Sequence, residues 1–590
     1  MKVFKSLIYG ITTLCILPSL AATVRIVGKE GAWHLERDGK PYLIRGAGGV
    51  SDFKRFSAAG GNSIRTWGSD RARGVLDAAW PNGVTVTVGF WLPHQDEGAN
   101  YTDPARCAQM KESILSDVKA LKDHPGLLLW ALGNEMELGI ADEAALWRFV
   151  DDVAQEIKKI DPNHPVGTVV AEVWPAKVEQ MKKFAPHLEW VGINSYGGVM
   201  NVGARWQEMG DYCPYVVTEF GPPGPEELGL NDLGCPNEWT STQKADWYEK
   251  AYRANIVKDK GKWCLGSYAF LWGTKIEGTP TWFGMLTPQG DFLAAAETLQ
   301  TMWGRAKLVN HVPTIQPLKL AANKVKVGEL FRVSVQAADE DGDQLTYEWE
   351  VIEENRHYGA TGLGGAIPRA YPQAVREGQG TKEVTLALPE DGFYRIYAWV
   401  KDKRGGAAVA GQAIQAGSGR RPFRGAPSIL PCAVYADGAT QRWWPTGYMG
   451  DVGNLTVDSR CREGAYAGET ALHVTYCGSD WAGLVWQNPP NDWMANPGGV
   501  DLTGATCLTF MARGKTGREV VNFQVGLSEG RFSDSGGARL ANLPLTTEWK
   551  KYTIDLKGQD LKCIKTGFAF SFGGAQTQEF WIDDVIFQSK

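Results

Sequence analysis

No excess of basic charge marks the chain. Its 61 Lys and Arg stand against 67 Asp and Glu, a formal net charge of −6. Binding to nucleic acid depends on basic patches, so that class of partner is excluded. The cysteines do not recur at metal-ligand spacing, and no His/Asp cluster does so in the first half. No catalytic cofactor is therefore expected. The one marked apolar run, Leu7 to Leu17, is too short to span a bilayer. Lys2 and Lys5 precede it and Ser19-Leu20-Ala21 follows, which is the plan of an export signal over residues 1–21. Cleavage near Ala21 or Ala22 predicts a secreted, periplasmic or cell-surface protein with no membrane span in the mature chain. Of ten cysteines, Cys15 lies in that segment. Export permits disulfides among the rest, and their odd number leaves at least one thiol. Internal repeats and low-complexity tracts are missing too.

What is plentiful is Trp, at 24, and Gly, at 70. Surplus Trp fills cores, because its ring buries a large area. It also stacks on the flat faces of sugars, and composition leaves both readings open. A length of 590 residues predicts three or four domains at roughly 100–200 residues each. Residues 23–305 alternate short apolar runs with amphipathic ones. The apolar runs are Tyr42–Gly46, Asn62–Gly68, Val84–Leu92, Leu127–Glu135, Pro165–Glu172, Leu188–Tyr196, Tyr215–Gly221 and Cys264–Gly273. Several are too apolar for a sheet with one wet face. Between them, Ala108–Leu121 and Ala141–Ile160 carry helical stripes, whereas Ser51–Gly61 is poorly patterned. Eight β/α repeats in this span indicate a (β/α)8 barrel of the TIM type.

The pattern changes after Trp303. Val312–Pro317 reads as a Pro-containing linker, and residues 318–415 alternate as strands of an immunoglobulin-like β-sandwich. In it, Asp339-Glu340-Asp341-Gly342-Asp343 is either a solvated turn or a calcium site. Gly417–Pro431 reads as a second linker, and residues 432–590 as a β jelly roll rich in aromatics. The expected chain is thus multidomain, a barrel followed by two β-modules.

Cleavage of a glycosidic bond commonly uses two carboxyl groups, one protonated and one ionised. A barrel sets them at the C-terminal ends of its strands. Leu127-Leu128-Leu129-Trp130-Ala131-Leu132-Gly133-Asn134-Glu135 ends the fourth candidate strand, and Tyr215-Val216-Val217-Thr218-Glu219-Phe220 the seventh. A carboxylate closing an apolar strand is costly without a function or a partner.

These two segments, with His124-Pro125 before the first and Gly221 after the second, resemble the signatures of glycoside hydrolase clan A. They are closest to the family 2 barrel and similar also to family 5. The resemblance covers residues 23–305 and implies retention through a covalent glycosyl-enzyme. It assigns the acid/base to Glu135, the nucleophile to Glu219, and binding of the sugar 2-hydroxyl to Asn134. It implies that Arg65 supports the nucleophile, that Tyr196 bonds to it, and that Trp272 lies under the sugar ring. His94 is either a sugar ligand or a structural histidine, and Trp67, Trp91, Trp174 and Trp282 are candidate platforms. The run Phe580-Trp581-Ile582-Asp583-Asp584-Val585 resembles the last strand of jelly-roll carbohydrate-binding modules, which implies a structural calcium ion at Asp583 or Asp584. Family 2 places its accessory modules before the barrel, whereas here they follow it.

The expected activity is retaining hydrolysis of a β-linked polysaccharide or oligosaccharide, of β-glucan or β-mannan type. Two alternatives stay open: a transglycosylase using the same glutamates, and a non-catalytic glycan-binding surface protein.

Overall fold

The computed structural model describes residues 22–29, 31–210, 212–304, 308–354, 368–419, 425–529, 532–573 and 577–589. The expected export signal, residues 1–21, lies outside them. The apolar runs of the first half form eight parallel strands: β1 Ile44–Ala47, β2 Ser63–Arg65, β3 Thr85–Phe90, β4 Leu127–Leu132, β5 Val166–Ala171, β6 Trp190–Asn194, β7 Tyr215–Phe220 and β8 Cys264–Ala269. They pair in sequence order, and β8 closes on β1, so the expected barrel is the one observed. Strand β4 shows why. Every residue of Leu-Leu-Leu-Trp-Ala-Leu is buried, and only a sheet covered on both faces accommodates such a run. An N-terminal sheet (Val24–Val27, His34–Arg37, Lys40–Tyr42) covers the N-terminal end of the barrel. Its Val24 and Leu35 pack with Ile44, Leu129, Val169 and Trp190. The opposite end is left open for a site.

The outer helices are α1 Phe53–Ala58, α2 Ala72–Ala79, α3 Pro104–Leu121, α4 Glu143–Ile160, α5 Pro175–Phe184, α6 Val202–Glu208, α7 Ser241–Ala251 and α8 Ala294–Met302. Poorly patterned Ser51–Gly61 holds α1, capped by the Asp52 carboxylate, which accepts from Arg55 N at 2.9 Å. Helix α3 starts at Pro104, four residues before its apolar stripe. Proline is preset for the first helical position, and Asp103 accepts from the amides of Ala105 and Arg106.

The immunoglobulin-like sandwich has two four-stranded sheets. It begins before residue 318: Thr314–Ile315 pairs with Ala337–Ala338, and Ile315 is buried. The expected linker is therefore partly a strand, because its apolar residues have a core to enter. The jelly roll has sheets of six and five strands around Phe510, Phe523, Phe568, Phe570 and Phe580. It too reaches into its expected linker, where Ala426–Pro427 pairs with Val500–Asp501. Cys107, Cys213, Cys264, Cys432, Cys461, Cys477, Cys507 and Cys563 are free thiols. No described helix is long and apolar enough to cross a membrane.

Candidate active site

Glu135 stands just past the end of β4, in a turn whose backbone the sequence prescribes. Gly133 has φ 74 and its amide donates to Phe90 O of β3 at 2.8 Å. Glu135 has φ 56, left-handed although it is not glycine, a conformation that costs on the order of 1–3 kcal/mol and concentrates at functional sites. Its amide donates to Val169 O of β5 at 2.9 Å, which fixes the turn. Glu219 lies within β7, is buried to 7% exposure, and points into the same end of the barrel.

Three donors converge on the Glu219 carboxylate. Arg65 Nη1 lies 3.1 Å and Trp67 Nε1 2.8 Å from Oε1, while Tyr196 OH donates to Oε2 at 2.6 Å. Donors alone suit an anion. Burial, then the charge of Glu219, drives the Tyr196 hydroxyl well above its ordinary pKa, so it stays a donor. Arg65 is buried and pulled down by that burial, against the opposing charges of Glu219 and Glu135. It also donates to Asn194 Oδ1 at 3.2 Å, to Thr218 O at 3.0 Å and, through Nη2, to Asn134 Oδ1 at 2.8 Å.

Asn194, at the end of β6, is the second hub. Its Oδ1 accepts from Arg65 and from Thr218 Oγ1, and its Nδ2 donates to Glu135 Oε1 at 2.7 Å and to Asn134 Oδ1 at 3.1 Å. The two glutamates are therefore held in one network, Glu219–Arg65–Asn194–Glu135. Asn134 has its oxygen occupied twice, which fixes the amide plane.

The two carboxyl groups differ in environment. Burial, then the charge of Glu219, raises Glu135 to about 7; the Asn194 hydrogen bond and Arg65 oppose the rise. A group near 7 is poised to give up a proton at neutral pH. Glu219, ringed by donors, is arranged to attack. Divergent environments of two carboxyl groups are the mark of an acid and a base with separate tasks.

Asn134, Glu135, Arg65, Tyr196, Trp67 and Glu219 are thus brought together. Trp272 is not. It follows β8 but is 2% exposed and packs on Trp303, Phe56 and Phe292. Its indole fills the layer between barrel and helices instead of the cleft. Trp282 is buried as well, its ring N–H donating to Pro223 O. Phe270, at the end of β8, takes the place beside the site, edge-on to both Trp67 and Tyr196. His94 bonds to neither glutamate; it stacks on Trp91 at 5.1 Å. Sequence reasoning also passed over Asn194, quoted only as part of the strand before Tyr196, and Lys275, whose ammonium lies 4.8 Å from the Phe270 ring centroid.

The acids expected to hold calcium, Asp583 and Asp584, lie in the C-terminal strand Gln578–Gln588. Asp583 is buried and already accepts from the amides of Tyr466, Ala467 and Asp584. Burial nevertheless holds its pKa above the ordinary carboxylate value, against those amide hydrogen bonds. Among the described residues the acids that gather closely enough for a metal are Asp339, Asp341 and Asp343. There Arg404 Nη1 lies 2.9 Å from Asp343 Oδ2 and supplies a positive charge.

No protein-family model matches the chain. A β-glucuronidase of Paenibacillus borealis is 26% identical over 289 residues, 44% of this chain and 47% of that protein. The barrel resembles those of glycoside hydrolase clan A. The chain spans about half the length of the curated relative it matches. Among solved structures, Bacteroides uniformis β-glucuronidase 2 aligns over 96% of this chain and 67% of its own, at 12% identity and TM-score 0.38. A β-glucuronidase of Ruminococcus gnavus aligns over 48% and 53%, at 18% identity and TM-score 0.38.

Proposed function

We propose that this clan A-like chain is a retaining β-glycosidase acting on β-linked uronides, with Glu135 as acid/base and Glu219 as nucleophile. The network Glu219–Arg65–Asn194–Glu135 carries the reading. It joins a carboxylate ringed by donors to one whose pKa is raised to about 7, both at the C-terminal ends of barrel strands. In the first step Glu219 attacks the anomeric carbon, the glycosidic C–O bond breaks, and the Glu135 proton goes to the departing oxygen. In the second, Glu135 takes a proton from water, which attacks the glycosyl-enzyme and releases Glu219. Tyr196 and Trp67 hold the nucleophile's two oxygens apart in orientation. Asn134, its carbonyl oxygen bound, has its amide N–H groups left to donate to the sugar.

A uronide departs from the neutral β-glucan or β-mannan expected from the sequence. Two observations favour it. The curated relative is named a β-glucuronidase. The Lys275 ammonium stands over Phe270, the ring packed edge-on against Trp67 and Tyr196, and pairs with Glu277 Oε2 at 2.5 Å; a sugar carboxylate needs a cation. Export through residues 1–21 and glycan binding by the jelly roll belong to the same proposal.

The test is covalent. A 2-deoxy-2-fluoro-β-glucuronosyl fluoride slows the second step more than the first, so the glycosyl-enzyme accumulates. The intact mass should rise by one glycosyl unit, with the label on the peptide that holds Glu219. Glu219→Gln should lose at least about 10³-fold in kcat. Hydrolysis without a label on Glu219, or an active Glu219→Gln protein, rejects the mechanism. Cleavage of neutral β-glycosides in preference to uronides rejects the substrate class.

A further inference from the structure

Among the described residues four tryptophans are exposed: Trp91, Trp174, Trp481 and Trp493. The first two flank Glu135. Trp91 follows directly on β3, whose Phe90 O accepts from Gly133 N in the Glu135 turn. Trp174 lies three residues past β5, whose Val169 O accepts from Glu135 N. Trp91 and Trp174 therefore lie on the two loops that border the acid's turn, one on either side.

Each indole is fixed by a backing. Trp91 donates its ring N–H to Glu97 Oε2 at 3.1 Å and stacks on His94 with planes 28° apart. Trp174 has the Lys177 ammonium 3.8 Å from its ring centroid. Lys177 is buried and pairs with buried Glu137 at 2.6 Å, two residues beyond Glu135. A cation over an indole face is attracted to it and orients it. Both rings are nevertheless 45–46% exposed. Large apolar rings that are immobilised and left open to solvent mark a binding surface more than a packing accident.

The two sides of the site contrast. Around Glu219 the walls are closed: Trp67, Tyr196, Phe270 and Phe283 pack on one another. That enclosure suits the one sugar that is attacked. The two loops beside the Glu135 turn, where the departing oxygen receives its proton, instead carry the two exposed indoles.

We propose that Trp91 and Trp174 are stacking platforms for the leaving-group part of the substrate, a chain of at least two further sugar rings. The C–H face of a pyranose carries slight positive charge and the indole face slight negative charge, so the two stack flat. The chain is thereby an enzyme for the uronide ends of oligosaccharides, not for glycosides of small alcohols. This inference rests on the assignment of Glu135 as the acid.

The experiment separates the two readings with paired substrates. A panel of β-glycosyl fluorides (glucuronosyl, galacturonosyl, glucosyl, galactosyl, mannosyl) finds the sugar accepted by the wild-type full chain. Fluoride is a one-atom leaving group and touches neither platform. The same sugar is then presented β-linked to the non-reducing end of a trisaccharide. The readout is kcat/KM on the oligosaccharide divided by kcat/KM on the fluoride. Trp91→Ala and Trp174→Ala should each lower this ratio about tenfold. Trp91→Phe and Trp174→Phe, which keep a flat ring, should restore most of it. A ratio unchanged in both alanine variants overturns the platforms while the glycosidase reading stands. A wild-type chain that turns over no fluoride and no oligosaccharide overturns the glycosidase reading, and the platforms with it. An alanine variant that loses both activities equally leaves the ratio unchanged and counts against the platforms as well.

Discussion

At the scale of single residues, the Glu135 carboxyl links catalysis to stability. Its folded pKa of about 7 lies above the ordinary 4.5. The folded state therefore holds a proton that the unfolded state releases between those two values. Stability falls as pH rises through that window, and the loss is complete above about 7. A shift of that size corresponds to about 3 kcal/mol. Glu135→Gln, which cannot ionise, should melt higher than wild type at pH 8 and the same at pH 4.5. Thermal melts at both pH values measure it; a variant with no gain at pH 8 rules out the buried, charge-opposed carboxyl. In the wild type, kcat/KM should fall above pH 7 as the proton is lost. The pair of glutamates was readable as strand-end carboxylates in apolar runs, whereas Arg65 and Tyr196 were implied by the resemblance to clan A. Asn194 was not singled out, because nothing in its neighbours distinguishes a hub from a satisfied core amide.

At the scale of the element, the turn after β4 sets the acid's position. A Cβ on Gly133 would meet Met136 Sδ at 1.9 Å, and the φ of 74 is itself unfavourable for other residues. Left-handed backbone adds roughly 1–2 kcal/mol there. Gly133→Ala should lower the melting temperature by several degrees and reduce kcat by about tenfold or more, since Glu135 lies two residues on. Wild-type melting and turnover in Gly133→Ala would mean that the turn is not what holds the acid. The barrel strands were legible because full burial forces continuous apolar runs. Helix α1 was not, since its six residues are too short for a stripe and rest on the Asp52 cap.

For the whole molecule, the sandwich is fastened to the barrel by buried charge. Arg395 Nε lies 2.5 Å from Glu354 Oε2 within the sandwich, and its other nitrogens reach Glu238 Oε2 at 3.4 Å and Pro236 O at 3.1 Å in the barrel. Burial alone raises Glu238, but Lys244 and Arg395 hold it below its ordinary pKa. Glu238 also accepts from the hydroxyls of Thr279 and Thr281, in the loop that carries Lys275. The middle module thus anchors a wall of the site. Arg395→Met removes the buried cation that bridges Glu354 and Glu238, Lys244 still pairing with Glu238 at 2.7 Å, and should cost about 3 kcal/mol. Calorimetry should show the barrel and sandwich melting together in wild type and at lower temperature in the variant. An unchanged melt would sink the anchoring role.

Strand-end carboxylates, a glycine-asparagine-glutamate turn and the periods of apolar residues are local properties, and each survived folding unchanged. They were enough to name the barrel and the pair Glu135 and Glu219. The direction of a side chain is not local. Trp67 meets Glu219 across 152 residues of sequence, Trp272 turns into the core, and the amides of Tyr466, Ala467 and Asp584 seal Asp583. Eleven of the 24 tryptophans proved to be buried, and the two on the loops beside the acid are exposed. Those outcomes follow from which strands become neighbours when the barrel closes, and no stretch of the chain encodes that alone.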